Sequence, residues 1–225
     1  MLALLFASLS GTLYVYQGQE IGMINMPKDW AIEDYKDVDA MNHYNEVAHR
    51  TSNDEAALPQ AKATLQNLAR DYARTPMQWT SAANAGFTGP EAVPWIRSNI
   101  SAQEGVNVAD ETDDKSSVLA FWKQMLQTRK INFEVLIDGK FELVDEPNQT
   151  VLSFFKRATD NKSYALVWCK FSGTKVEIPE IGGFNFAEAK LVLDNIGVER
   201  THDFLREGQL QKVLQPWEGR IYMVS

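Results

Sequence analysis

Apolar and polar positions change rhythm several times along the chain. From Met1 to Ser10, Leu2, Leu5, Phe6 and Leu9 recur at helical spacing, which predicts the last turns of a packed helix. A helix opening at Met1 with an apolar face and no cap reads as one cut into rather than started. The next stretch, Gly11 to Gly22, reads GTLYVYQGQEIG. Its Leu13, Tyr14, Val15 and Tyr16 form an uncharged run, which predicts a strand covered on both faces, as in a parallel sheet. The run ends in Gln17-Gly18-Gln19-Glu20, where a barrel of alternating strands and helices would build its active site. A plain buried strand followed by a turn fits the same residues.

Further helices follow. Residues 34–50 carry scattered apolar positions and predict a short helix. Leu58, Ala61, Leu65, Leu68 and Ala69 predict an amphipathic one over 55–73, with Pro59 in its first turn. Val118, Phe121, Trp122, Met125 and Leu126 mark a helix from Ser117 to Lys130, with Arg129 and Lys130 suited to its C-terminal end. After Asn132 the period shortens. Runs at 141–144, 151–156, 164–170, 175–178, 191–193 and 220–224, separated by turn clusters, predict an antiparallel sandwich. A boundary near residue 135 divides the chain into residues 1–134 and an all-β domain, 135–225.

Composition narrows the function classes. The hydrophobic content of 44% is that of a globular protein, and the net charge of −8 argues against a nucleic-acid backbone or an anionic membrane as partner. Cys169 is the only cysteine, so no intrachain disulfide forms, and it reads as core packing beside Val167 and Phe171. His43, His49 and His202 show no metal spacing. The apolar opening lacks a basic region before it and is too short to span a bilayer, so a secretory leader is disfavoured and a cytoplasmic location favoured. Sequons at Asn99, Asn148 and Asn161 do not alter that reading.

Two stretches invite chemistry. Asp34, Asp37 and Asp39 lie close together, but with no second ligand group at defined spacing they read as an exposed helix start favoured by its macrodipole. Asp113 and Asp114 likewise read as caps and dipole partners. The loop from Arg74-Thr75-Pro76-Met77-Gln78-Trp79 through Asn84-Ala85-Gly86-Phe87 to Pro94-Trp95 is richer. Rings stack on sugar faces, amides meet hydroxyls, and long loops in compact domains tend to be functional. The alternative is a loop pinned to the surface by Trp79, Phe87 and Trp95.

With GTLYVYQGQEIG at 11–22, RTPMQW at 74–79, NAGF at 84–87 and PWEGRIY at 216–222, the chain resembles the C-terminal part of a glycoside hydrolase family 13 α-glucosidase, of the fungal maltase and oligo-1,6-glucosidase type. The resemblance implies the end of a (β/α)8 TIM barrel (eighth strand, loop subdomain and last helices) followed by an antiparallel β-sandwich. It implies retaining hydrolysis of maltose-, isomaltose- or sucrose-type substrates by two carboxylates about 5–5.5 Å apart. In the family those carboxylates, and a third aspartate within an Asn-His-Asp motif, precede every segment matched here. No Asn-His-Asp occurs in the sequence, and no acid present, Glu20 included, matches a catalytic position. No catalytic residue, metal or cofactor is therefore assigned, and the isolated chain is expected to be inactive. Arg74, which opens RTPMQW, matches the arginine that binds the glucose of the cleaved bond, with helix-end capping as the bland alternative; its fixed fork suits carboxylates and vicinal hydroxyls. Tyr44, Glu46 and Phe87 are candidates for outer subsites. The implied partners are an oligosaccharide or disaccharide and an N-terminal barrel segment needed for native packing. Without that segment, residues 1–130 are expected to be unstable and the faces of 1–10 and 118–126 unpartnered. A non-catalytic carbohydrate-binding or regulatory protein is the competing reading.

Overall fold

The computed structural model describes residues 1–224 except 53, 55, 179–180, 183, 185, 187 and 198–212. His202 therefore lies outside the described residues. The chain forms two compact units, one of residues 1–15 with 115–225 and one of residues 16–114.

In the first unit a five-stranded antiparallel sheet has the order β1-β2-β3-β7-β5, from β1 (Lys140–Val144), β2 (Val151–Arg157), β3 (Tyr164–Lys170), β5 (Lys190–Asp194) and β7 (Gly219–Val224). A two-stranded sheet pairs β4 (Val176–Glu177) with β6 (Val213–Leu214). All six predicted strand runs are present; β6, only two residues long, carries too little pattern to be read.

Alternation along the strands builds two cores. Phe154, Val167, Cys169, Leu193 and Ile221 point to one face, while Val151, Phe155, Leu166, Trp168 and Tyr222 point to the other. The second face meets Ile181 and Leu214, and Trp168 stacks on Phe186 with ring centroids 5.6 Å apart. The first face is covered by helices. Leu4 and Ala7 of α1 (Leu2–Ser8), Met125 of α5 (Val118–Ile131) and Val135 and Leu136 of α6 (Phe133–Leu136) complete its core. The helices expected to lack a partner thus bury part of their apolar surface against the sandwich sheet, while Leu2, Phe6, Val118 and Leu126 stay exposed. The buried face of α1 is also rotated from the one expected: Ala3, Leu4 and Ala7 are inside, while Leu2 and Phe6 are exposed.

Buried cations hold this packing. Ser117 caps α5, its hydroxyl accepting from the Ala120 amide at 3.0 Å. Arg129 is no surface partner of the helix dipole: it is buried and donates to the carbonyls of Ala7, Leu9 and Gly11 at 2.7, 2.6 and 2.7 Å. These are carbonyls left open at and just beyond the end of α1. Lys156, fully buried, donates to the Gly139 carbonyl at 2.6 Å and to the Ser10 hydroxyl. Burial lowers the pKa of both cations.

The predicted strand at 13–16 does not form. The segment pairs in no ladder, and Tyr14 is 85% and Tyr16 60% exposed. A strand is completed by its neighbours' backbone groups, and among the described residues no strand lies beside it.

The second unit holds α2 (Val38–Arg50), α3 (Leu58–Leu68) and α4 (Val108–Thr112), joined by long irregular segments. Met26, Trp30, Tyr35, Leu65, Ala69 and Ile96 form its core. Arg97 lies over Trp30, 4.1 Å from the ring centroid, and pairs with Asp34 at 3.1 Å. Asn99 is buried, its amide donating to the Ile24 and Asn25 carbonyls, so this sequon is a structural tie.

Candidate functional site

The polar end of GTLYVYQGQEIG folds as a turn rather than a strand exit. Gly18 at φ +89° and Gly22 at φ +63° flank a single 3-10 turn, Gln19–Ile21, anchored by the buried Ile21. A β-carbon on Gly18 would meet only the flexible Met23 side chain, so it is the left-handed backbone angle that calls for glycine here.

RTPMQW enters from a second 3-10 turn, Arg70–Arg74. The Tyr16 hydroxyl donates to the Ala73 carbonyl, joining the two motifs. Between them lies a cavity of about 340 Å³, lined by Tyr16, Gln17, Gln19, Asn25, Tyr72 and Thr75 among others. Two of the four motifs singled out in the sequence therefore meet at one mixed-polarity hollow. Arg74 stands between two of its lining residues, Ala73 and Thr75. Its side chain is exposed, and its guanidinium carbon lies 5.9 Å from the centroid of the Trp95 ring. Among the described residues, no carboxylate is within ion-pair distance of it.

Beyond Arg74 the loop is built from inside. Thr75, Pro76, Met77 and Gln78 are buried, and the Gln78 amide donates to the Ser101 hydroxyl at 3.0 Å and the Val106 carbonyl at 2.9 Å. Asn84 and Ala85 both adopt left-handed angles, which lets the Ala85 carbonyl accept from the Trp79 and Thr80 amides. The Asn84 amide holds the Gly89 and Ala92 carbonyls. The anchors of this loop are thus Met77, Gln78 and Ala85. Trp79, Phe87 and Trp95, expected to pin it, are exposed.

The other candidates divide. Tyr44 packs on the core of its unit, and Glu46 pairs with Arg50 along α2 at 2.6 Å, leaving Phe87 as the one of the three with an exposed ring. Among the described residues no cluster of His, Cys, Asp or Glu suits a metal ion.

The acidic cluster does mark the start of α2, with Asp39 exposed in its first turn, but Asp37 is not on the surface. Asp37 is buried and caps α2, and its carboxylate receives the Arg70 amide at 2.8 Å and the Arg70 side chain at 3.0 and 2.7 Å. Hydrogen bonding from Arg70 holds this carboxyl well below the usual carboxylate range. Asp71, fully buried, receives the amides of Lys36 and Asp37 at 2.8 and 2.9 Å. Sequence reasoning passed over Arg70 and Asp71. Their only signal was adjacency to RTPMQW, because their partners lie more than thirty residues away.

Residues 1–139 match the family described as alpha amylase, catalytic domain. Alpha-glucosidase MAL12 of Saccharomyces cerevisiae is 41% identical over all of this chain, which spans 37% of that enzyme's length. Oligo-1,6-glucosidase IMA3 of the same yeast is 39% identical over 99% of the chain and 36% of its own length. Both matches fall in the C-terminal part of the relative. Among solved structures, a variant of Bacillus licheniformis trehalose-6-phosphate hydrolase superimposes with a TM-score of 0.83 at 28% identity, covering 100% of this chain and 38% of that one. The fold is that of the end of the barrel and the following β-sandwich of such enzymes, and the chain belongs to the alpha-amylase family.

Proposed function

We propose that these residues serve in an α-glucosidase that hydrolyses terminal α-glucosidic bonds of maltose-, isomaltose- or sucrose-type sugars with retention. Two observations support this: the hollow between the turn after Tyr16 and the start of RTPMQW, and the exposed Arg74 guanidinium near the Trp95 ring, on a residue that falls in the chain between two lining residues of that hollow. An exposed, permanently charged fork next to an aromatic face can bind vicinal hydroxyls and stack a pyranose ring.

In this reading Arg74 binds the glucose whose bond is cleaved, and its carboxylate partner comes from an early barrel segment. The nucleophile and the acid/base carboxylates also come from upstream barrel segments. One carboxylate attacks the anomeric carbon while the other protonates the leaving oxygen, and water then releases the covalent glucosyl intermediate. Residues 1–134 complete the barrel, and residues 135–225 form a sandwich domain that supports it without touching the reacting bond.

Two measurements test this. The purified 225-residue chain should release no glucose from maltose or p-nitrophenyl α-glucoside above a mock preparation; hydrolysis would overturn the placement of the carboxylates. In the catalytically complete enzyme, Arg74→Lys should lower kcat/KM by roughly ten- to a hundredfold, the loss of charge-assisted hydrogen bonds. Unchanged kcat/KM would remove Arg74 from the sugar site.

A further inference from the structure

We propose that Asp37 and Asp71 are positioning residues for Arg74, acting through a reciprocal clasp between the N-terminus of α2 and the turn Arg70–Arg74. This rests on the reading of Arg74 as a sugar-binding residue.

The clasp is built from two carboxylates, each holding the other segment's backbone. Asp37 takes the Arg70 amide, and Asp71 takes the amides of Lys36 and Asp37. Neither segment can slide or rotate without breaking bonds on both sides. The Arg70 side chain closes the clasp from outside, donating Nε and Nη2 to Asp37 and Nη2 to Asp39 at 2.7 Å. Its fork is thereby engaged, and Arg74 is left as the arginine of this turn that faces outward over Trp95.

The lever from clasp to site is short. Only three residues separate Arg70 from Arg74, and a 3-10 turn rises about 2 Å per residue, so a shift at Arg70 passes to Arg74 almost undiminished. Tyr16 holds the same turn at the Ala73 carbonyl. Burial matters as well. Asp37 and Asp71 are 2% and 0% exposed, so water does not compete for these bonds as it does for Asp39, whose side chain is 82% exposed. Among the described residues, the second oxygen of Asp71 has no partner, a cost of placing that carboxylate where it can hold α2.

A double-mutant cycle in the catalytically complete enzyme tests the assignment. Asp37→Asn presents an amide to Arg70 and breaks the clasp on one side. It should lower kcat/KM by roughly ten- to a hundredfold, mostly through KM, with the melting temperature showing that the enzyme is folded. In an Arg74→Lys background the same change should cost less than roughly threefold, because the group being positioned is already gone. Arg70→Lys, which leaves the Asp37 backbone contacts in place, should behave as a milder version and carries the test if Asp37→Asn does not fold. Equal losses in both backgrounds, or no loss from a folded clasp variant while Arg74→Lys is costly, would overturn the positioning role and leave the sugar-binding reading standing. No loss from Arg74→Lys would overturn both.

Discussion

Replacing Arg129 by methionine tests how the first unit is held together. The guanidinium is buried and donates three hydrogen bonds of 2.6–2.7 Å to the carbonyls of Ala7, Leu9 and Gly11. Methionine fills a similar volume, so the change removes charge and donors without opening a large cavity. A bond from a charged donor contributes about 1.5–3 kcal/mol net, which for three bonds gives an upper range near 9 kcal/mol. Two effects reduce it. Burying the guanidinium already carries a desolvation cost, reflected in its lowered pKa, and the carbonyls nearest the surface regain water. The expected loss is about 3–5 kcal/mol, a large share of a typical domain's stability. Urea unfolding followed through tryptophan fluorescence reports it, since Trp122 and Trp168 are both buried in this unit. Lys130→Met, one residue further along α5 on its exposed side, should stay within about 0.5 kcal/mol of the parent. If the two variants unfold within error of each other, the guanidinium does not hold the end of α1.

Two further predictions concern the same sheet. Cys169 is buried, and burial pushes its thiol from 9.0 up to about 12. A raised folded-state pKa favours the neutral form, so its contribution is complete below pH 9.0 and is lost as pH rises toward about 12. Ellman's reagent should therefore label the native protein at pH 8 only as fast as it unfolds, and immediate labelling would show the thiol accessible. Gly139→Ala would place a β-carbon 2.0 Å from the Val135 carbonyl oxygen, a backbone atom that cannot swing aside. It should cost about 3 kcal/mol in chemical denaturation, whereas Gly173→Ala, with open space around it, should be near neutral; similar values for the two would refute the steric argument.

The strands after Asn132, the two-residue β6 aside, were legible because each carries its own pattern and is bounded by turn residues. The helices of both units were legible for the same reason, apart from the five-residue α4 and the four-residue α6. What the sequence hid was pairing between distant residues. The run Leu13–Tyr16 has the composition of a buried strand, but a strand needs neighbours, and these lie outside the local pattern. Asp37 looked like a surface acid because its partners, Arg70 and Asp71, come more than thirty residues later. Arg129 looked like a helix-end cation because the carbonyls it serves are about 120 residues earlier. For the candidate site, motif order brought Arg74 and the turn after Tyr16 to attention. The hollow beside that turn and the clasp that ties Arg70 and Asp71 to α2 became visible only in three dimensions.

The packing of α1 on the sheet has a consequence for synthesis. Leu4 and Ala7 leave the ribosome before any residue of the sheet that buries them, and the strand that completes that core, β7, is made more than two hundred residues later. At about 5–20 residues per second, the apolar face of α1 waits at least ten seconds for the last strand of this sheet. Its packing on α5, β3 and β7 closes loops of more than a hundred residues, so these contacts form late. A nascent chain stalled before residue 219 should therefore present α1 to chaperones, and release of the last strand should withdraw it.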